Sequence, residues 1–165
     1  MTLAPPESLS ERHLLAAFDS GVPSLDDWLK KRAAHNQASG ASRTFVTCDG
    51  LQVAGYYALA SSAVAPAQTA GRFRRNMPDP IPVVVLGRLA VHNGYQGTGL
   101  GRALFQDAAR RTLHAAEAIG IRGMIVHAIS EDAKNFYLRL GLTVSPLDPM
   151  ILMTTLADLR ATLES

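Results

Sequence analysis

A glycine-dense segment at residues 95–102 is the part of the sequence best suited to bind an anion. Its three glycines have no Cβ atoms, so their N–H groups can approach a phosphate closely, and a following helix would add unpaired donors and a positive dipole end. Two known phosphate motifs do not fit, because no Lys-Ser/Thr follows the last glycine and Leu104 stands where the dinucleotide motif requires glycine. The remaining pattern, Gln96-x-x-Gly99-x-Gly101, predicts a pyrophosphate site.

Apolar runs on either side of this loop predict the elements that position it. Residues Val83 to His92 are predicted to form a buried strand, and Leu100 to Ile119 a long helix that Gly120 ends. A second apolar run, Ile121 to Ile129, predicts a strand parallel to the first, as a βαβ unit requires. The loop would then lie between a central strand and the start of a helix.

Further strands and helices are predicted along the rest of the chain. Apolar spacing predicts a helix from about Ser24 to Asn36 with Ser24 as its N-cap, a short helix from Glu11 to Phe18, and a loop with extended pieces from Ser61 to Pro82. The other predicted elements are the strands Arg43 to Thr47, Gln52 to Ala60 and Met150 to Leu156, with the first two joined at Asp49-Gly50, and the helices Glu131 to Leu140 and Asp158 to Leu163.

The Q-x-x-G-x-G pattern after a strand reading RLAV resembles motif A of the GNAT N-acetyltransferases, which hold the pyrophosphate of acetyl-CoA on this loop. The helix EDAKNFYLRL followed by Gly141 resembles motif B of that family, with Leu142 where the family usually has Phe. The resemblance implies an α/β GNAT fold, in which a mixed antiparallel and parallel sheet is flanked by helices and splays apart at the acetyl-CoA site.

Four further segments resemble the TacT-like toxins, a GNAT group of bacterial toxin-antitoxin modules that acetylates aminoacyl-tRNA. They are FDSG (18–21), LDDWLKKRA (25–33), RNMPDPIP (75–82) and GRLAVH (87–92). The resemblance implies a toxin that moves an acetyl group from acetyl-CoA to the amino group of aminoacyl-tRNA and so inhibits translation. The alternatives are a GNAT enzyme that acetylates a small amine or a protein N-terminus, and a non-catalytic acyl-CoA-binding module.

The same resemblance implies which residues bind the coenzyme. Backbone groups of the central strand would pair with pantetheine, and the N–H near Val91 would point at the thioester oxygen and stabilise its developing negative charge. The side chains of Leu89 and Val91 are expected in the core. The implied coenzyme-binding residues are Leu89, Ala90, Val91, Gln96, Gly97, Thr98, Gly99, Leu100, Gly101, Arg102 and Asn135.

Tyr137 is the catalytic residue that the resemblance implies, because a phenol with a reference pKa near 10 is protonated at neutral pH and can protonate a leaving thiolate. Its alternative role is packing beside Phe136. His92 either relays a proton or simply faces solvent. A general base is less necessary for an α-amino group, with a pKa of about 8, than for lysine.

Arginines before and within the central strand are candidates for binding RNA, although a solvated surface is the alternative for any such cluster. Lys30, Lys31 and Arg32 are a second candidate path. The predicted tRNA-binding residues are Arg72, Arg74, Arg75 and Arg88.

Composition sets the remaining expectations. With 165 residues, 47% of them hydrophobic, the chain is long and apolar enough for one domain spanning residues 1–165. The lone Cys48 is expected to be structural, the scattered histidines predict no metal site, and no export signal or membrane span is apparent, so a cytoplasmic location is expected. The resemblance adds aminoacyl-tRNA and a ribbon-helix-helix antitoxin as partners and leaves a homodimer open.

Overall fold

A computed structural model describes residues 3–164 of the chain. Its strands are Glu7–Ser8 (β1), Arg43–Asp49 (β2), Gln52–Val64 (β3), Ile81–Val91 (β4), Gly123–His127 (β5), Thr143–Val144 (β6) and Ile151–Thr155 (β7). Its α-helices are Pro23–Lys31 (α1), Ala33–Ser39 (α2), Gly71–Arg74 (α3), Leu100–Ala115 (α4), Glu131–Arg139 (α5) and Leu156–Glu164 (α6).

The seven strands form one mixed sheet in the order β1-β2-β3-β4-β5-β7-β6. Strands β4 and β5 pair in parallel, whereas β2 with β3 and β5 with β7 pair antiparallel. This confirms the predicted α/β architecture with a mixed sheet flanked by helices. The βαβ unit β4–α4–β5 accounts for the parallel pair, since parallel neighbours need a crossover connection.

Parallel pairing along β4 stops before the strand does. The register runs from Val84↔Met124 to Leu86↔Val126, and β4 continues beyond it to Val91. The backbone groups of Gly87–Val91 on that side therefore have no partner in the β4–β5 register, as expected of a sheet that splays apart. Those groups require another hydrogen-bonding partner.

The chain divides into two compact units, one formed by residues up to Ala60 together with Gly87–Ala108, the other by Ser61–Leu86 together with residues from Ala109 onward. In the first unit, α1 buries Leu25 and Leu29 against Phe18 and Tyr56. In the second, α3 buries Phe73 in a cluster with residues of the strands β4, β5 and β7. The single-domain boundary stays a prediction.

Two predicted helices differ from the observed elements. The helix predicted at Ser24–Asn36 is divided at Arg32, whose φ of −123° is not helical, and its N-cap is Val22 instead of Ser24. The division lets Gln37 donate to the carbonyl oxygen of Leu9 (2.8 Å) and accept from the N–H of Thr44 (3.0 Å). Hydrogen bonds to backbone groups far away in the sequence therefore override the continuous helical pattern.

Other predicted boundaries were also wrong. The segment Glu11–Phe18 forms no helix, because the backbone of Leu14 pairs with that of Leu51 and Val53. The segment Ser61–Pro82 holds the end of β3 and helix α3 in place of a loop with extended pieces. Helix α4 ends at Ala115, five residues before Gly120, since Ile119 is 57% exposed and gains little from continuing the helix.

We expect Gly123→Ala to destabilise the fold. An added Cβ would overlap the carbonyl oxygen of Thr154 on β7 and lie 3.0 Å from the ring of Phe73. Because backbone must shift to relieve this overlap, the free energy of unfolding should fall by about 2 kcal/mol. Urea denaturation measures the change. Gly120→Ala is the matched control, since its Cβ meets no atom within 4 Å; equal stabilities of the two variants would contradict the prediction.

Candidate active site

The glycine loop presents open backbone ahead of helix α4. Gly97 and Gly99 have φ values of 77° and 88°, which favour glycine, and an added Cβ at either would meet no atom within 4 Å. The hydroxyl of Thr98 donates to the carbonyl oxygen of Tyr95 (2.5 Å), which closes the preceding 3₁₀ turn. Leu100 begins the 16-residue α4, whose first N–H groups have no intrahelical acceptor. This arrangement fits a pyrophosphate.

The side chain of Gln96 fixes the start of this loop. Its Nε2 donates to the carbonyl oxygens of Ser20 (2.7 Å) and Val91 (2.8 Å). Both amide hydrogens are therefore used by the protein's own backbone. The structure gives the Gln96 side chain a positioning role, because it ties the end of β4 and the segment Phe18–Gly21 to the loop.

The segment Phe18–Gly21 is held to the end of β4 by two further hydrogen bonds. The N–H of Asp19 donates to Nδ1 of His92 (3.0 Å), and the N–H of Asn93 donates to the carbonyl oxygen of Asp19 (2.8 Å). Because Nδ1 accepts a hydrogen bond, a neutral His92 carries its proton on Nε2. His92 is thus part of a brace between two segments, a role that sequence reasoning did not anticipate.

A buried carboxylate supports the same brace from helix α1. Asp26 is 7% exposed and accepts from the N–H of Ser20 (3.1 Å to each oxygen) and from its hydroxyl (2.6 Å). Three hydrogen bonds on one carboxylate compensate for its removal from water. Sequence analysis did not single out Asp26, because its role depends on contacts with Ser20, which lies outside helix α1.

Tyr137 lies on α5, which begins where the hydroxyl of Ser130 accepts from the N–H of Ala133 (3.1 Å). Its side chain is 7% exposed and packs edge-to-face on Phe136, with ring centroids 5.1 Å apart. Burial raises the pKa of the Tyr137 phenol above its usual value. The phenol therefore stays protonated at and above neutral pH, as a hydrogen-bond donor must. Asn135, on the same helix, is exposed.

The predicted RNA-binding arginines make different contacts. Arg72 pairs with Asp158 (2.9 Å), and Nη1 of Arg74 donates to the carbonyl oxygen of Thr69 (2.5 Å), so these two side chains also stabilise their surroundings. Arg72 and Arg75 line a cavity of about 920 Å³ together with Arg122. Arg88 belongs to the other unit and lies over the indole of Trp28.

The single cysteine, Cys48, is suited to a structural role. Cys48 is 3% exposed, and burial raises the pKa of its thiol, so the reactive thiolate is disfavoured.

Within residues 3–164, no cluster of three or more His, Cys, Asp or Glu side chains could hold a metal ion. In the same range, no helix is both long and apolar enough to cross a membrane.

Two features indicate the class of protein: β4 continues beyond the end of its parallel pairing with β5, and the glycine loop follows β4. The acetyltransferase (GNAT) domain family matches residues 40–143, and the chain belongs to this family. It is an acetyl-CoA-dependent N-acetyltransferase, which confirms the sequence-based prediction of enzyme class and co-substrate.

Three comparisons place the chain more closely within that family. It is 49% identical over 156 residues, 94% of each chain, to a tRNA-acetylating toxin of Mycobacterium tuberculosis. Its fold matches AtaT complexed with acetyl-methionyl-tRNAfMet, with a TM-score of 0.89, 28% identity and coverage of 97% and 98% of the two chains. It also matches an AtaT mutant bound to the C-terminus of the antitoxin AtaR and acetyl-CoA, with a TM-score of 0.85, 27% identity and full coverage of both chains (100%).

We expect Gln96→Glu to weaken acetyl-CoA binding. A carboxylate cannot donate to the carbonyl oxygens of Ser20 and Val91, and each lost hydrogen bond costs about 1 kcal/mol. The KM for acetyl-CoA should therefore rise roughly tenfold or more, with a smaller change in kcat. Steady-state kinetics measure both. Gln106→Glu on α4 carries the same charge change and serves as the control. An unchanged KM for acetyl-CoA in a folded Gln96→Glu protein would contradict the positioning role of Gln96.

Proposed function

We propose that this protein is a toxin that transfers the acetyl group of acetyl-CoA to the amino group of aminoacyl-tRNA and thereby inhibits translation. The observation that carries the proposal is the 49% identity, over 94% of both chains, to a tRNA-acetylating toxin. The match to AtaT with acetyl-methionyl-tRNAfMet supports it. An acetylated α-amino group is no longer nucleophilic, so an aminoacyl-tRNA blocked in this way cannot accept a growing peptide.

We infer that the coenzyme lies along β4 and the glycine loop. Unpaired N–H groups at the start of α4 would receive the pyrophosphate, and the glycines that the loop's positive φ values favour have no side chains to block it. Backbone groups of Leu89, Ala90 and Val91 would pair with pantetheine, and the N–H near Val91 would stabilise negative charge on the thioester oxygen. The remaining proposed contacts are the loop residues 96–102 and Asn135.

Tyr137 is proposed to protonate the leaving thiolate of coenzyme A, and burial raises the pKa of its phenol, so the residue is in the protonated form when the thioester binds. The attacking group needs no strong base. An α-amino group has a reference pKa of about 8, so a sizeable fraction is neutral near pH 7. The engagement of His92 Nδ1 with the backbone of Asp19 agrees with a mechanism that does not use His92 as a base.

The proposal assigns RNA contacts to Arg72, Arg74, Arg75 and Arg88. The cavity beside Arg72 and Arg75 also contains Arg122, so three guanidinium groups border it. Arginine forks match phosphate oxygens bidentately. Arg72 and Arg74 contribute less directly than Arg75, because Arg72 is paired with Asp158 and Arg74 donates to the carbonyl oxygen of Thr69.

The partners follow from the same proposal. A solved structure of an AtaT mutant contains the C-terminus of the antitoxin AtaR, which supports an antitoxin for this protein. We infer an antitoxin of the ribbon-helix-helix type from the resemblance to the TacT-like toxins. Homodimer formation is a further part of the proposal, which sedimentation of the free protein tests. An enzyme that acts on charged tRNA would work in the cytoplasm.

Transfer of labelled acetyl groups to a pool of charged tRNA tests the proposed function. The wild-type protein should label charged tRNA but not deacylated tRNA, and Gly99→Asp should abolish labelling and acetyl-CoA binding. Asp places a negative charge beside the pyrophosphate; the space around Gly99 is open, but its φ of 88° strains any side chain, so the variant must first be shown to be folded. Calorimetry with acetyl-CoA and a thermal melt check the variant. Labelling of polyamines or peptides, with none of charged tRNA, would refute the toxin assignment.

We expect Tyr137→Phe to retain ring packing and most coenzyme affinity while the single-turnover rate falls by roughly 10²- to 10⁴-fold, the usual contribution of a general acid. Rapid-quench measurement with saturating acetyl-CoA isolates the transfer step. Tyr57→Phe removes the hydroxyl of another buried tyrosine, which donates to Asp107 (2.5 Å), and should keep a rate near that of wild type. If both variants react equally fast, Tyr137 only packs.

A further inference from the structure

Arg88 is a half-buried residue that has no acidic partner among residues 3–164. Its Nη1 donates to the carbonyl oxygen of the neighbouring Gly87 (3.2 Å), and across residues 3–164 no carboxylate forms an ion pair with it. Charges withdrawn from water are normally paired, because the lost hydration is costly. The guanidinium therefore has hydrogen-bonding and electrostatic capacity that the folded chain does not use.

Trp28 holds this guanidinium in place. The Cζ atom of Arg88 lies 4.7 Å from the centroid of the indole ring, within the range of a cation–π contact. Trp28 in turn stacks on Tyr56, with ring centroids 6.1 Å apart and an interplanar angle of 8°. The hydroxyl of Tyr56 donates to the carbonyl oxygen of Leu25 (2.6 Å). The stack of Arg88, Trp28 and Tyr56 is thus anchored in the core before any ligand arrives.

The position of Arg88 on β4 relates it to the proposed reaction. Arg88 precedes Val91 by three residues, which is about 10 Å along a strand. If the N–H near Val91 faces the acetyl group, Arg88 lies at a distance comparable with the extent of an aminoacyl-adenosine from its amino nitrogen to its base. This step rests on the proposed function.

We propose that Arg88, backed by Trp28, is a stacking site for the 3′-terminal nucleobase of charged tRNA. Bases at single-stranded RNA ends are recognised by stacking on aromatic rings and on guanidinium planes. Because the indole of Trp28 already contacts Arg88 and Tyr56, the surface left for a base is the guanidinium plane of Arg88. The site would hold the terminal nucleoside while its aminoacyl ester extends toward Val91.

Fluorescence of Trp28 reports on this site directly, because Trp28 is the single tryptophan of the chain. Titration with the trinucleotide CCA should change its emission saturably in the wild-type protein. Arg88→Lys keeps the positive charge but loses the planar group, so its affinity for CCA should fall roughly ten- to one-hundredfold. Arg43→Lys, an exposed arginine on β2, is the matched control and should bind as wild type does.

Kinetics with charged tRNA and with its aminoacyl-adenosine fragment complete the test. Arg88→Lys and Trp28→Leu should lower kcat/KM for both substrates and leave the KM for acetyl-CoA unchanged. A loss with charged tRNA alone would mean that Arg88 binds a phosphate and would overturn the stacking site, as would wild-type CCA binding by Arg88→Lys. If CCA binds through Arg88 while charged tRNA is not acetylated, the stacking site stands and the proposed function fails.

Discussion

The hydrogen bonds between the segment Phe18–Gly21 and the end of β4 are the constraint on which the proposed coenzyme site depends. The glycine loop has almost no side chains with which to fix its own shape, and its open backbone is what suits it to an anion. Gln96 therefore supplies the missing rigidity from within, by holding the carbonyl oxygens of Ser20 and Val91 at 2.7 and 2.8 Å. His92 and the backbone of Asp19 hold the same two segments together independently.

Asp26 and Arg88 are two charged side chains of the same compact unit, and they differ in whether their charge has a partner within the protein. The carboxylate of Asp26 is buried and fully occupied by Ser20, so it serves only the brace. Arg88 is half-buried as a residue, and its guanidinium lies over Trp28 and has no acidic partner in the described chain. A buried charged group whose hydrogen bonds are all satisfied within the protein indicates a structural role. A partly buried charged group without such partners can still form hydrogen bonds or stack with a ligand. On this physical ground the inferred RNA contact is assigned to Arg88.

Local patterns predicted the elements around the site well, because their signals are short-range. The pattern Gln96-x-x-Gly99-x-Gly101 and the apolar runs beside it correspond to the observed β4, glycine loop and α4, and Gly141 ends the region of α5 with a φ of 96°. Errors occurred where distant backbone competed for hydrogen bonds. Gln37 reaches Leu9 and Thr44, so the first long helix divides, and Leu14 pairs with Leu51 and Val53, so no helix forms there.

The sequence by itself determined the type of chemistry in this protein, because residue type and spacing along the chain decide whether a loop can expose its N–H groups and whether a helix can follow it. Its resemblance to the GNAT family predicted acetyl-CoA as the coenzyme and Tyr137 as the general acid. Only the tertiary structure decided which polar groups are already engaged: Gln96 with two carbonyl oxygens, His92 with Asp19, and Arg88 with an indole but, among residues 3–164, no carboxylate. Partners far apart in sequence settle these contacts, and the burial that gives each contact its energy exists only once the chain has folded.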